Sequence, residues 1–196
     1  MIPLTDAVHL CIDMQRIFGE GGVWETPWME RVLPVVTGIA GRYRERTIFS
    51  RFITPEHPDQ LPGQWQQYYR RWKAATRQHL QPGQLELIPP LARFVPPAHV
   101  IDKPAYSAFY LSGLDGFLRE KGVRCLIVTG AETDVCVLST VLDAVDRGFR
   151  VVIVEDALCS SSDAGHEALM TIYRTRMQQQ IELVSSSELS TAWRPG

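Results

Sequence analysis

The sequence has no apolar run of the ~18 residues that a membrane-spanning helix needs. It has no excess of positive charge: 20 Lys and Arg stand against 22 Asp and Glu, for a net charge of -2 and a pI near 6.2. Nucleic acid and anionic membrane surfaces are therefore not expected partners. No basic segment followed by an apolar stretch and a cleavage site opens the chain, which points to a cytoplasmic protein. The four cysteines, Cys11, Cys125, Cys136 and Cys159, show no CxxC spacing. Free thiols are expected rather than a disulfide or zinc framework. Repeats and low-complexity tracts are missing, and 45% hydrophobic residues with 21% charged ones argue against disorder. The 196 residues suit one domain, 1–196, with a sizeable core.

What is present is organised around residues 123–137, VRCLIVTGAETDVCV. Residues 124–129 read as a strand buried on both faces. Gly130 breaks it, Thr133 or Asp134 can cap a helix, and residues 135–147 continue at helical spacing to a C-cap glycine, Gly148. Cys136 then falls in the first turn of a helix, just past the carboxyl end of a strand. Open parallel sheets bind ligands at that edge. Free amides and the helix dipole there stabilise a thiolate.

The remaining pattern alternates strands with helices. Strands are expected at 7–14, 47–53, His99–Lys103, 124–129, 150–154 and 180–184. Helices are expected at 28–46, 64–76, 113–121 and 135–147, at 164–177 capped by Asp163, and in a short final segment. Residues 155–162 read as a loop. This alternation predicts an α/β protein: three αβα layers around a six-stranded parallel sheet, Rossmann-like, with right-handed crossovers. Residues 54–97 are irregular and rich in Pro, Gln and aromatics, including Trp65, Tyr68, Tyr69 and Trp72. An excursion of that length is a candidate lid or specificity segment, or else a surface excursion or oligomer contact.

Three strand ends carry reactive groups: Asp13, Lys103 and Cys136. In a parallel sheet they share one edge. A thiol near neutral pH is mostly protonated and needs a base and a nearby cation to act as a nucleophile. Asp13 can take the proton and Lys103 can hold both partners electrostatically. Read singly, each has a plainer account: a buried core cysteine, a satisfied carboxylate and a solvated lysine.

The sequence resembles the isochorismatase-like cysteine hydrolases, the group of nicotinamidases and N-carbamoylsarcosine amidase. The residues that carry the resemblance are Asp13-Met14-Gln15 with Phe18, Lys103, and Gly130-Ala131-Glu132-Thr133-Asp134-Val135-Cys136-Val137. Thr140, Ala144, Gly148 and Asp156 follow in the same pattern. The resemblance implies the isochorismatase fold, an Asp13–Lys103–Cys136 triad and a cis peptide between Ala131 and Glu132. It also implies an oxyanion hole from the amides of Glu132 and Cys136, and a homo-oligomer, dimer or tetramer. Nicotinamidases of this group bind a metal through an Asp-x-His near the end of the second strand. Here that region reads Ser50-Arg51-Phe52-Ile53-Thr54-Pro55-Glu56-His57. No metal and no cofactor are expected. Isochorismatases proper cleave a vinyl ether without a nucleophilic cysteine, so Cys136 points to acyl transfer.

The expected activity is metal-independent hydrolysis of the C–N bond of a small amide or carbamoyl compound through a thioester. Phe18, Trp24, Tyr106 and Phe109 are the candidate pocket walls, and each can equally be core packing. The alternatives are an isochorismatase-type vinyl ether hydrolase and a non-catalytic or redox binding protein using Cys11 and Cys136.

Overall fold

The computed structural model describes residues 4–193. Six parallel strands form one sheet: β1 Ala7–Ile12, β2 Thr47–Phe52, β3 His99–Lys103, β4 Cys125–Ala131, β5 Arg150–Cys159 and β6 Ile181–Val184. Their order is β3-β2-β1-β4-β5-β6, all parallel. The chain first builds outward from β1 to β3, then crosses back to place β4 on the other side of β1. The strand order therefore reverses between β1 and β4, the position where open α/β sheets form their ligand crevice.

The two faces follow from the period-two alternation of apolar strands. Cys11, Phe49, Ile127, Val152 and Val154 face α1 (Met29–Arg42) and α7 (Ser186–Ala192). Leu10, Ile12, Ile48, Val128, Val151 and Ile153 face α4 (Leu114–Glu120), α5 (Leu138–Asp146) and α6 (Asp163–Arg176). This is the three-layer arrangement expected from the sequence. One polar residue lies inside the central strand. His9 is fully buried between Thr47 Oγ1 (3.2 Å) and Thr129 Oγ1 (2.7 Å). Burial lowers it to about 3, so it is neutral in the fold.

Several boundaries differ from the sequence reading. β1 stops at Ile12, because Asp13 turns into the left-handed region at φ +48°. The first long helix runs from Met29 to Arg42, and a separate tight turn follows at Arg44–Arg46. The expected loop 155–162 is mostly strand. Val128 pairs with Ile153, whereas Gly130 pairs with Leu158, so β5 bulges over the intervening residues and then rejoins the sheet. Ser162, not Asp163, caps α6, accepting the Gly165 amide at 3.0 Å.

The irregular third holds α2 (Gln64–Arg71), α3 (Pro89–Ala92) and short turns at Pro58–Gln60 and Lys73–Ala75. It is tied to the sheet edge. Main-chain bonds join Arg16 to Glu86, Ile17 to Gln84 and Ile88 to Met14. Gln15 acts as a three-way clip: its amide donates to the Phe52 and Leu85 carbonyls, and its oxygen accepts the Phe52 N–H at 2.7 Å.

Candidate active site

Asp13 leaves the carboxyl end of β1 and Lys103 ends β3, with the end of β2 between them. Both side chains are fully buried, and Lys103 Nζ lies 2.7 Å from Asp13 Oδ2. Ser50 of β2 donates its hydroxyl to Asp13 Oδ1 at 2.6 Å and receives the Asp13 N–H at 3.2 Å. The remaining Lys103 protons go to the carbonyls of Ala105 and Tyr106, each at 2.9 Å. The Phe52 ring covers the ammonium at 4.8 Å. The ammonium is thus surrounded by a carboxylate, two carbonyls and a ring face. The sequence-level alternative of a solvated Lys103 does not hold.

Cys136 sits across from this pair in a π-helical turn, Thr133–Val137, which runs into α5. Its thiol is within hydrogen-bonding reach of both Asp13 and Lys103. Asp13 Oδ2, beyond its ion pair, has no hydrogen-bond partner among the described residues. Burial pushes the Cys136 thiol up; Lys103 pulls it down and Asp13 pushes it up, and burial prevails. Burial works against the thiolate expected at the helix start, since Cys136 is only 4% exposed. Burial alone would lower Lys103, but the charges of Asp13 and Cys136 outweigh it and hold the ammonium above its ordinary value.

The turn carrying Cys136 is built by steric necessity and side-chain ties. At Gly130, φ is +108°, and a Cβ would stand 2.1 Å from the Ile12 carbonyl oxygen. Only glycine lets β4 pass β1 at that height. The Ala131–Glu132 peptide is cis. Thr133 and Asp134 do not cap the helix. Thr133 Oγ1 bonds His166 (2.8 Å) and the Cys159 carbonyl (3.2 Å), and Asp134 accepts from Ser160 Oγ at 2.5 Å. Glu132 accepts the Ser161 N–H at 2.8 Å. One short segment, 159–166, therefore pins three consecutive residues of the turn. From the opposite side, Thr140 donates to the Cys136 carbonyl (2.7 Å) and accepts the Ala108 N–H (2.9 Å).

Of the candidate wall residues, Phe18, Trp24 and Tyr106 join one aromatic group. Trp24 packs on Phe18 and Phe52 at 5.8 Å each and on Tyr68 and Trp72 at 6.1 Å each. Tyr106 packs on Trp65 at 4.9 Å. Burial raises the hydroxyls of Tyr68, Tyr69 and Tyr106, and ionisation of Cys136 would raise them further. Phe109 stacks on Phe149 at 5.8 Å beneath Arg147, in the apolar cluster that also holds Cys136 and against which Tyr106 packs. The sequence reading missed Ser50 and the His166–Thr133 contact, and it named Tyr69 only as one aromatic of the segment 54–97. A serine inside the apolar run TIFSRF was the one available signal.

The residues here do not fit a metal. Ser50 and Phe52 hold the end of β2, one bonded to Asp13 and the other covering Lys103. His57 bonds Gln78 and His79 bonds Thr76. Among the described residues no three His, Cys, Asp or Glu side chains gather as a ligand set. The Cys11 side chain belongs to the α1 face and Cys136 to the α5 face, so the two do not share a layer. A cavity of about 370 Å³ opens at the far, amino-terminal edge of the sheet and shares no residue with this group.

A Rossmann-ordered sheet with a buried Asp–Lys–Cys group at its reversal point defines the class. The chain belongs to the isochorismatase domain family, whose model matches residues 7–188. It is similar to a ureidoacrylate amidohydrolase of Methylorubrum extorquens, 43% identical over 70 residues, which is 36% of this chain and 27% of that protein. The matched stretches span less than half the length of the first curated relatives. In fold it is similar to a cysteine hydrolase from Pseudomonas syringae (TM-score 0.82, 23% identity, 98% of this chain and 95% of that one). It is likewise similar to N-carbamoylsarcosine amidase from Thermoplasma acidophilum (TM-score 0.74, 22% identity, 93% and 97%). No helix among the described residues is long and apolar enough to cross a membrane.

Proposed function

We propose that this chain is a metal-independent cysteine hydrolase that cleaves the C–N bond of a small amide or carbamoyl compound through a thioester. The carrying observation is the thiol of Cys136 within reach of a fully buried Asp13–Lys103 pair. The thiol proton passes to Asp13 as sulfur attacks the carbonyl carbon. The oxyanion rests on the amides of Glu132 and Cys136. Supporting this, the Glu132 carbonyl accepts from Val135 and Val137, the amides on either side of Cys136, each at 3.1 Å. The intermediate collapses, the C–N bond breaks, and the departing nitrogen takes the proton from Asp13. Water then gives a proton to Asp13 and attacks the thioester carbonyl. The acid leaves, and Cys136 recovers its proton. Lys103 touches Asp13 throughout and keeps the site's charge balanced.

The aromatic cover from residues 54–97 packs on this chain's own Trp24, Phe52 and Tyr106, which supports a lid role over its own site. The related proteins named for amidohydrolase activity support the C–N reaction over vinyl ether cleavage. The reading includes a cytoplasmic homo-oligomer, dimer or tetramer.

A panel of small amides and carbamoyl compounds is assayed for ammonia or amine release. Cys136→Ala should lose turnover while keeping its melting temperature, and mass spectrometry of the native protein should find the acyl group on Cys136. Turnover retained by Cys136→Ala would overturn the reading.

A further inference from the structure

We propose that Tyr69 and Trp24 determine specificity, donating hydrogen bonds to an acceptor atom on an uncharged substrate held beside Cys136. This rests on the amide hydrolase reading and goes on to name the kind of substrate. Tyr69, on α2, is fully buried, yet its hydroxyl has no hydrogen-bond partner among the described residues. The indole N–H of Trp24, from the loop before α1, is buried and unpartnered as well. Buried polar groups are paired in the great majority of cases, and leaving one unpaired costs about 1–3 kcal/mol. Two such groups adjoin in one aromatic group, their rings 6.4 Å apart, and that group reaches the catalytic pair through Phe52, which packs on Trp24 at 5.8 Å and covers the Lys103 ammonium at 4.8 Å. An indole N–H only donates, so the atom it meets must be an acceptor.

The charges nearby decide the rest. Substrate carboxylates need a free cation. Lys103 is already ion-paired with Asp13 and bonded to the carbonyls of Ala105 and Tyr106. The cations of the covering segment, Arg70, Arg71 and Lys73, are exposed at the surface. Lys103 balances the Asp13 charge, and Glu132 adds a negative charge felt by both Tyr68 and Tyr106. A carboxylate-bearing substrate would be repelled, whereas a flat neutral one would lie against the rings and offer its acceptor to the two donors.

The test is calorimetric binding to the Cys136→Ala protein, so that turnover is not the readout. The three pyridinecarboxamides place a ring acceptor at three positions; benzamide is the isostere without one, and N-carbamoylglycine is the carboxylate probe. One pyridine isomer should bind about ten-fold tighter than benzamide. Adding Tyr69→Phe should remove that preference, leave benzamide binding unchanged and keep or raise the melting temperature; Trp24→Phe should weaken the same isomer. Equal binding of benzamide and all isomers, tightest binding of N-carbamoylglycine, no binding of any probe, or a preference that survives Tyr69→Phe would each overturn the proposal. Binding with the expected preference but no ammonia release by the native protein would instead overturn the hydrolase reading and leave this one standing.

Discussion

Lys103 and Asp13 can be taken apart in a four-member cycle that separates charge balance from chemistry. Lys103→Met keeps the length and apolar stem of the side chain but leaves the Asp13 carboxylate fully buried with only the Ser50 hydroxyl and its own turn to hold it. Removing one partner of a buried pair costs about 3–5 kcal/mol, because the surviving charge is uncompensated. For a chain of this size each kcal/mol lowers the melting temperature by roughly 2–4 °C, so a fall of about 6–20 °C is expected. Asp13→Asn should cost less. Its ammonium keeps the carbonyls of Ala105 and Tyr106 at 2.9 Å and the Phe52 ring at 4.8 Å. The double variant buries no charge and should be more stable than Lys103→Met alone, with a coupling of about 2 kcal/mol or more. Activity should behave differently: all three proteins should lose at least about 100-fold in kcat/KM, since each lacks the base or the charge beside it. Urea unfolding and amide turnover on the four proteins read the two effects. Additive stabilities, within ~0.5 kcal/mol, would refute the coupled pair. Full kcat/KM in the double variant would show that the pair only holds the fold.

Three further outcomes follow from single features. His9 is buried and neutral with its value lowered to about 3, so protonation favours the unfolded chain below the ordinary 6.5. Stability should be complete above 6.5 and fall as pH drops toward 3, by about 2–3 kcal/mol at about pH 4.5; urea unfolding of His9→Gln should lack that slope if the cause is right. Gly130→Ala would press a Cβ against the Ile12 carbonyl at 2.1 Å, so a loss of about 3 kcal/mol or more is expected, with kcat/KM falling because Asp13 is the next residue; a variant that melts like the native protein would contradict the close approach. Turnover should survive exhaustive EDTA treatment, and recovery of a lost activity by added zinc would show that a ligand set has been overlooked.

The sheet was legible because its strands are apolar on both faces and separated by periodic helices. Parallel strands put all their carboxyl ends on one edge, so three distant residues could be brought together before any coordinates were known. The bulge in β5 was not legible: Glu155 and Asp156 look like loop residues, and only the re-pairing of Gly130 with Leu158 makes the segment a strand. Ser50 was hidden for another reason. A hydroxyl inside a strand has no periodic signature, and its role appears only when β2 lies beside Asp13. The same holds for Tyr69 in the excursion, where aromatic content was plain but the direction of each hydroxyl was not. Phe109 and Tyr106 both border the cluster that holds Cys136, but their ring partners differ, Phe149 for one and Trp65 for the other, which side-chain type alone does not reveal.

A buried thiol with a raised value looks ill suited to nucleophilic attack until the whole group is counted. Asp13 is negative, Lys103 positive and Cys136 neutral, and moving the thiol proton to Asp13 leaves one negative and one positive charge as before. In a poorly solvated site, separating or creating charge is what costs most. Here the negative charge only shifts from oxygen to sulfur, and Lys103 is within reach of both ends. The burial that raises Cys136 therefore does not act on the transfer as a whole in the way it acts on an isolated thiol. This makes the lysine's carbonyl partners meaningful. Held by Ala105 and Tyr106, the ammonium does not follow the charge but waits between the two positions it occupies. In the proposed reaction, an aromatic cover over the group would strengthen the attraction at both ends of the proton's path by excluding water.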